Sequence, residues 1–422
     1  MLDIKLIREN PEIVKKSNKD RGYDVNVDEV LKLDEQWRKS KFQEDKIRSE
    51  RNKISEEINK AKKNKDDKKA KELIKKAKTI PEKLKKQEEI TEDIRKKINE
   101  IHFRIPNIPD KSVPIGDESK NKVMKKKGAL PKFNFPVKNH VELLGDLLDI
   151  KRSTKIAGAG FYIFKGELAI LERALIQFFL DFHVKDGFTE INPPQIVNEK
   201  IMFGTGNLPK FEDDLYKTRE GLYLIPTAEV PVTNLFAEEV LNEDELPKKF
   251  CSFTQCYRTE AGRHGSETPG IFRLHQFEKV EMVYIAKQED SWKFLEEMTE
   301  RAEKILEMLE LPYRRILLAT GDMTFATAKT YDLEVWSPSL KKYLEASSCS
   351  NCTDFQARRM NCKYTEKSSN ERKFVHTLNG SGLATPRLLI SLVENNQTKT
   401  GSIKIPKVLR KYTGFKEIKA IK

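Results

Sequence analysis

The sequence predicts an α+β protein: an antiparallel helical hairpin near the amino terminus, then a body built on a mostly antiparallel sheet with helices against it. Three observations predict this. Residues 27–104 contain no glycine, a single proline at 81, and apolar residues at helical spacing in two runs. Short strand-like runs follow one another later in the chain without regular strand-helix-strand alternation. No GxxxxGK[ST] segment and no repeat of 20–50 residues occurs, which excludes a P-loop enzyme and a solenoid.

In chain order, Val30, Leu33, Trp37, Ile47, Ile54 and Ile58 mark the seam of the first helix. Leu73, Ile74, Ala77, Leu84, Ile90, Ile94, Ile98 and Ile101 mark the second, and NKDDKK (residues 64–69) is the polar break where the chain reverses. Seams this narrow make no wide core, so the hairpin should project as a coiled-coil arm. Pro81 lacks a backbone donor and clashes with the preceding turn, at about 3 kcal/mol in a helix interior, so a kink or break is expected near Thr79–Pro81. RIPNIPDKSVPIGDES (residues 104–119) is punctuated by proline and turn residues. The expected organisation is therefore an arm over 1–104, a linker over 105–120 and a body over 121–422. Within the body, Leu168, Leu171, Leu175, Phe178, Phe179 and Phe182 predict a helix over 167–186 that stops at Gly187. FTEIN, LYLIP, FCSFTQCYRT, FRLHQFEKVEMVYI and KYLEASSCS predict strands.

A chain of 422 residues can bury a sizeable core and suggests two or more domains. Its net charge of +13 is concentrated: residues 38–104 hold 24 Lys and Arg against 14 Asp and Glu. The partner of that segment should be an anion. The five cysteines are an odd number, which argues for reduced thiols. MLDIKLIREN resembles neither a signal nor a transit peptide, and no window reaches the roughly 18 apolar residues of a membrane span. A cytoplasmic protein that enters no membrane is expected.

Chemistry concentrates in FTQCYRTEAGRHGSETPGIFRLHQFEKVE (residues 253–281), which carries Arg258, Glu260, Arg273, Phe277 and Glu281 on two strand-like segments around a charged loop. Arginine pairs phosphate oxygens bidentately, a carboxylate orients a second substrate, and an aromatic face stacks on a base. Taken singly, Arg258 reads as a surface ion pair with Glu260 or Glu267, and Phe277 as core. The alternation in HQFEKVE puts Phe277, Lys279 and Glu281 on one face, with His275 beside them, and such a face suits a wet cleft better than a core.

YRTEAG with FRLHQFEKVE resembles the second defining motif of the class II aminoacyl-tRNA synthetases, and NGSGLATPRLLISLVENNQ resembles the third. TEINPPQIV (residues 189–197) is similar to the end of the first, with Pro194 at the family's proline. MFGTGNLPKFEDDLY, IPTAEVPVTN and YLEASSCSNCTDFQARR point to the seryl-tRNA synthetases, and the resemblance spans Met1 to about Tyr412. It implies a class II synthetase catalytic domain, activation of L-serine by ATP with Mg2+, transfer to the 3′ end of tRNA(Ser), and a homodimer. Charging of tRNA(Sec) stays open. It implies that the arm lies along the long variable arm of the tRNA and reads it mostly by shape.

The resemblance also implies residue roles. Arg258, Glu260 and Arg387 are the catalytic set, with Arg258 on the α-phosphate. ATP falls to Arg258, Thr259, Glu260, Leu274, Phe277, Glu345, Ala346, Ser347, Ser348 and Arg387, adenine lying between Phe277 and Arg387. Glu345 and Ser348 hold the metal. Serine falls to Thr227, Ala228, Glu229, Arg258, Glu281, Asn379 and Ser381, with Glu281 and Ser381 at the hydroxyl and the Thr227–Glu229 loop at the ammonium. Asn379 is a supporting residue.

Cys349-Ser-Asn-Cys352 with Cys362 invites a zinc reading, but only one CxxC pair exists and no histidine lies close by, so zinc is not expected. His264 and His275 read as general bases only in isolation. The motif-two loop departs from the family, with Pro269 where arginine is usual, and Thr324 stands where glycine is usual. Two rivals remain: a ligase loading a carrier protein, which would lack a long basic arm, and an inactive RNA-binding relative, against which the intact motif residues speak.

Overall fold

The computed structural model describes residues 1–260 and 270–420. The expectations placed on His264, Glu267 and Pro269 lie outside the described residues. The chain divides into two compact units, one of residues 2–106 and one of Met1 with residues 107–422.

In the smaller unit, α1 (Ile4–Glu9) and α2 (Pro11–Asp20) precede α3 (Val27–Lys63), α4 (Asp67–Ala77) and α5 (Ile80–His102). The Asn26 side chain caps α3 by accepting from the Glu29 amide at 3.0 Å, and Lys60, Lys62 and Lys63 sit in its last turn, where cations suit the helix dipole. Asp66 caps α4 in the same way, accepting from the Lys69 amide at 3.0 Å. Pro81 lies in the first turn of α5, where a missing N–H costs nothing, so the second half of the hairpin is two helices.

The seam departs from expectation at Ile74 and Ile90, which are 37% and 51% exposed. Polar side chains share the interior instead. Ser40 Oγ meets Thr91 Oγ1 at 2.9 Å, Gln87 Nε2 donates to Ser40 Oγ at 2.7 Å, and buried Glu44 accepts from Lys41 and Arg48 at 2.7 and 2.9 Å. A two-helix seam offers little apolar area, so such pairs fix register more than they add stability.

The larger unit is organised by eight strands: β1 (Lys122–Lys127), β2 (Thr189–Glu190), β3 (Lys248–Tyr257), β4 (Gln276–Ala286), β5 (Tyr313–Leu317), β6 (Lys329–Ser337), β7 (Lys342–Asn351) and β8 (His376–Ala384). Their order in the sheet is β1-β5-β6-β7-β8-β4-β3-β2, and only β2 with β3 is parallel. Three long helices, α6 (Glu167–Lys185), α7 (Ser291–Met308) and α8 (Thr385–Asn395), bury apolar faces in the main core beside it. The linker is not loose on this unit: Asn107 Nδ2 donates to the carbonyls of Ala326 and Cys352 at 2.9 and 2.8 Å.

The glycine-rich segment of β8, to which sequence analysis assigned no element, runs through the sheet, and its neighbours leave no room for side chains. A Cβ on Gly380 would meet Met298 Sδ at 2.6 Å, and one on Gly382 would meet His183 Nε2 at 2.4 Å. Register shifts between Glu345 and Ser347 on β7, and between Ser381 and Leu383 on β8, re-aim side chains beside the cavity described below. Among the described residues no helix is long and apolar enough to cross a membrane.

Candidate active site

A cavity of about 410 Å³ opens on the face of the sheet where β3, β4, β7 and β8 run side by side. Part of its wall comes from β4 and from the described segments between β3 and β4. Phe277, Lys279 and Glu281 alternate along β4 and all reach the cavity. The expected wet cleft needs correction, because Lys279 and Glu281 are only 7% and 2% exposed. They form an ion pair and share Thr227, whose hydroxyl donates to Glu281 Oε2 at 2.6 Å and accepts from Lys279 Nζ at 2.9 Å. Buried charges persist only when paired and hydrogen-bonded, and this set meets both conditions.

Arg258, Glu260 and Arg273 do not lie on the strands as expected. They flank them, because β3 ends at Tyr257 and β4 begins at Gln276. The Arg258 amide donates to His275 O at 2.9 Å, and His275 Nδ1 lies 3.0 Å from Arg258 O, which closes the hairpin's open end. His275 is thus a brace. The Arg258 guanidinium donates from Nε to Pro226 O at 3.4 Å and sits 5.1 Å from the Phe277 ring centroid. Among the described residues no carboxylate pairs with it. Glu260 takes a left-handed φ of +50° and accepts from Arg273 Nη1 at 2.7 Å. A glutamate held in that region costs on the order of 1 kcal/mol or more, a strain that tends to gather at functional sites.

Beside them in the sheet, β7, β8 and the first turn of α8 contribute Glu345, Ala346, Ser347, Ser348, Asn379, Ser381 and Arg387, all on the cavity wall. Arg387 Nη1 donates to Glu345 Oε2 at 3.1 Å and its Nε to Phe272 O at 3.3 Å, with the guanidinium 5.1 Å from the Phe272 ring centroid. Its aromatic neighbour is therefore Phe272, and that of Phe277 is Arg258. Ser347 Oγ donates to Ser381 O at 2.6 Å and ties β7 to β8.

Glu229 caps the other end of the cavity. Its Oε1 accepts from Gln356 Nε2 at 2.7 Å and Asn379 Nδ2 at 2.9 Å. Burial, then the nearby Glu281 carboxylate, push its pKa up to about 7, and among the described residues no cation pairs directly with it. A ligand ammonium is the group that would offset this.

Of the residues expected at the site, only two lie off the wall. Ala228 is fully buried in a small core with Val232 and Phe250, turned there by the start of the short helix Glu229–Thr233. Thr259 points away and donates from Oγ1 to Asp213 O at 2.6 Å. Thr324, where glycine is usual, borders the cavity in a turn in which Thr327 Oγ1 donates to Thr324 O at 3.0 Å.

Sequence reasoning placed Lys279 on the cleft face without giving it a role, and missed Phe272, Gln356 and Asp332. Lys279 was legible as a polar residue on the face of Phe277 and Glu281, whereas Gln356 and Asp332 carry no local signal. Asp332 stands across from Ser348 in the β6–β7 register, and its buried Oδ1 has no partner among the described residues. Burial, then the neighbouring Glu345 carboxylate, push its pKa well up. Two carboxyl groups and a hydroxyl with an orphaned oxygen fit a hard divalent cation. All five cysteines are free and buried, and burial pushes Cys251, Cys349 and Cys362 up to about 12.

The family model "Seryl-tRNA synthetase N-terminal domain" matches residues 1–109, and "tRNA synthetase class II core domain (G, H, P, S and T)" matches residues 210–396. A "Serine--tRNA ligase" of Carboxydothermus hydrogenoformans is 48% identical over 431 residues, covering 99% of each chain. Among solved structures, seryl-tRNA synthetase from Pyrococcus horikoshii complexed with ATP superposes with a TM-score of 0.91 at 40% identity over 100% of both chains. The cytoplasmic serine-tRNA ligase of Naegleria fowleri in complex with AMP gives 0.86 at 34% identity, over 100% of this chain and 99% of that one. With a relative 48% identical from end to end, matches to both domains and a cavity walled by the motif residues, the chain belongs to the seryl-tRNA synthetase family of class II aminoacyl-tRNA synthetases.

Proposed function

We propose that this protein is a serine–tRNA ligase: it activates L-serine with ATP and transfers the seryl group to tRNA(Ser). The serine carboxylate attacks the α-phosphorus and pyrophosphate leaves. The 3′-terminal adenosine of the tRNA then attacks the seryl carbonyl, and AMP departs with the proton accepted by its phosphate. The observation that carries the reading is the convergence, in one cavity of a chain similar end to end to serine–tRNA ligases, of two guanidinium groups with carboxylates placed for a small amino acid.

Phosphoryl-type transition states spread charge over oxygens, so positioning and electrostatics do the catalytic work. Arg258 clamps the α-phosphate, and Phe277 takes the adenine. Glu260 orients the nucleotide, itself held by Arg273. Arg387 closes the opposite side from its seat on Glu345. Glu229, with Asn379 behind it, takes the serine ammonium, and Glu281 and Ser381 face the hydroxyl. Glu345 and Ser348 are the residues that would hold Mg2+, with Asp332 beside them. When bound, that ion supplies charge neutralisation on the phosphates.

The basic arm binds the tRNA. The molecule works as a homodimer, for which β1 gives support: it ends the eight-stranded sheet, all six of its residues are exposed, and Val123 and Met124 are apolar. Five buried free cysteines suit the reducing cytoplasm.

Serine-dependent exchange of pyrophosphate into ATP, run beside alanine, threonine and glycine, tests the reading. Exchange with serine far above the others is expected. No exchange with serine would favour an inactive relative, and exchange with alanine or glycine would favour a carrier-protein ligase.

A further inference from the structure

Lys279 is a buried lysine in the wall of the cavity, and its ammonium contacts two side chains that the serine reading depends on, Thr227 and Glu281. We propose that Lys279 is a positioning residue for amino-acid selectivity: it locks Thr227 onto Glu281 and holds the Glu281 carboxylate with one oxygen turned to the substrate hydroxyl. This rests on the assignment of the cavity's serine end.

The argument starts at Thr227. A hydroxyl has one hydrogen to donate and two lone pairs. Thr227 Oγ1 donates to Glu281 Oε2 at 2.6 Å and accepts from Lys279 Nζ at 2.9 Å and from the Glu229 amide at 3.2 Å. All three positions are used, so this side chain has nothing left for a ligand. Thr227 acts as a strut between the lysine and the glutamate.

Lys279 and Thr227 both bind Oε2 of Glu281. Among the described residues Oε1 has no hydrogen-bond partner, and Glu281 is on the cavity wall. The ligand therefore meets one carboxylate oxygen whose rotation is fixed by the other. A second carboxyl, Glu229, faces the same space and is close enough for the two to repel. The Lys279 ammonium pairs with Glu281 at Oε2, which leaves Oε1 as the acceptor on the cavity side. A pure acceptor demands a donor: serine supplies one, and alanine leaves a desolvated carboxylate unpaired.

The test is Lys279→Met, which keeps the length of the side chain and removes the charge. Pyrophosphate exchange should show the serine KM at least tenfold higher and the serine-over-alanine ratio at least tenfold lower, with the ATP KM unchanged. Lys279→Arg should restore part of the ratio. Should Lys279→Met fold poorly, the double variant Lys279→Met, Glu281→Gln removes the stranded charge, and it should activate serine and alanine with comparable kcat/KM. A folded Lys279→Met with the parent's selectivity, or equal losses for ATP and serine, overturns the assignment. Absence of serine-dependent exchange in the unaltered protein would instead overturn the serine reading on which it rests.

Discussion

Serine binding should release a proton, because Glu229 offers its carboxyl to the ammonium from a setting that holds it partly protonated near neutrality. Its folded pKa of about 7 lies above the ordinary 4.5, raised by burial first and by Glu281 second. With that value the carboxyl is about 10% ionised at pH 6 and about 90% ionised at pH 8, so serine affinity should weaken about tenfold between pH 8 and pH 6. The sign follows from which form binds: the ammonium selects the carboxylate, and acid favours the other form. Calorimetric titration with serine in two buffers of different ionisation enthalpy reads the effect directly. About 0.9 proton should be released per serine at pH 6 and about 0.1 at pH 8.

The same shift acts on stability with the opposite sense from a salt-bridged carboxylate. Below pH 4.5 the group is protonated whether folded or unfolded and costs nothing. As pH rises to about 7 the unfolded chain ionises more readily, and the folded state loses on the order of 3 kcal/mol. Glu229→Gln keeps an oxygen for Gln356 and Asn379, so it should melt higher than the parent at pH 8, match it at pH 4, and bind serine poorly at both. Serine heats that do not depend on buffer, with affinity flat from pH 6 to pH 8, would refute the reasoning.

Arg258→Ala should lower adenylate formation by at least about a hundredfold, as loss of one transition-state donor does elsewhere, while tRNA binding measured by filter retention stays near the parent's. Full activation would show the clamp misassigned. Deleting residues 30–100 should spare pyrophosphate exchange and cripple transfer to tRNA, and the parent's tRNA affinity should fall steeply with salt, as counterion release requires. An undiminished transfer rate would refute the arm's role. Gly382→Ala drives a methyl to 2.4 Å from His183 Nε2 in the core, so thermal unfolding should report a loss of about 1–3 kcal/mol. An unchanged Tm would mean that the packing there yields.

The long helices, the break at Pro81 and the face shared by Phe277, Lys279 and Glu281 were legible in the sequence because each depends on spacing of a few residues. The strand pairing was much less so. β1 pairs with β5 across nearly two hundred residues, and β8 was hidden by glycines that sequence rules assign to loops. Ala228 shows the same limit within the site. It belongs to a motif whose neighbours Thr227 and Glu229 reach the cavity, yet the first turn of a short helix buries it.

By itself the sequence determined the helical arm and its charge, the α+β character of the body, and which residue types were available to hold a phosphate and a small amino acid. Only the tertiary structure decided which charges neutralise one another. Among the described residues, Arg273 takes Glu260 and leaves Arg258 without a carboxylate, Lys279 takes Glu281, and Glu229 is left facing the cavity with no cation paired to it. Side-chain periodicity is written into neighbours along the chain. The partner of a buried charge is chosen by strand register across the sheet, where desolvation makes each wrong pairing expensive.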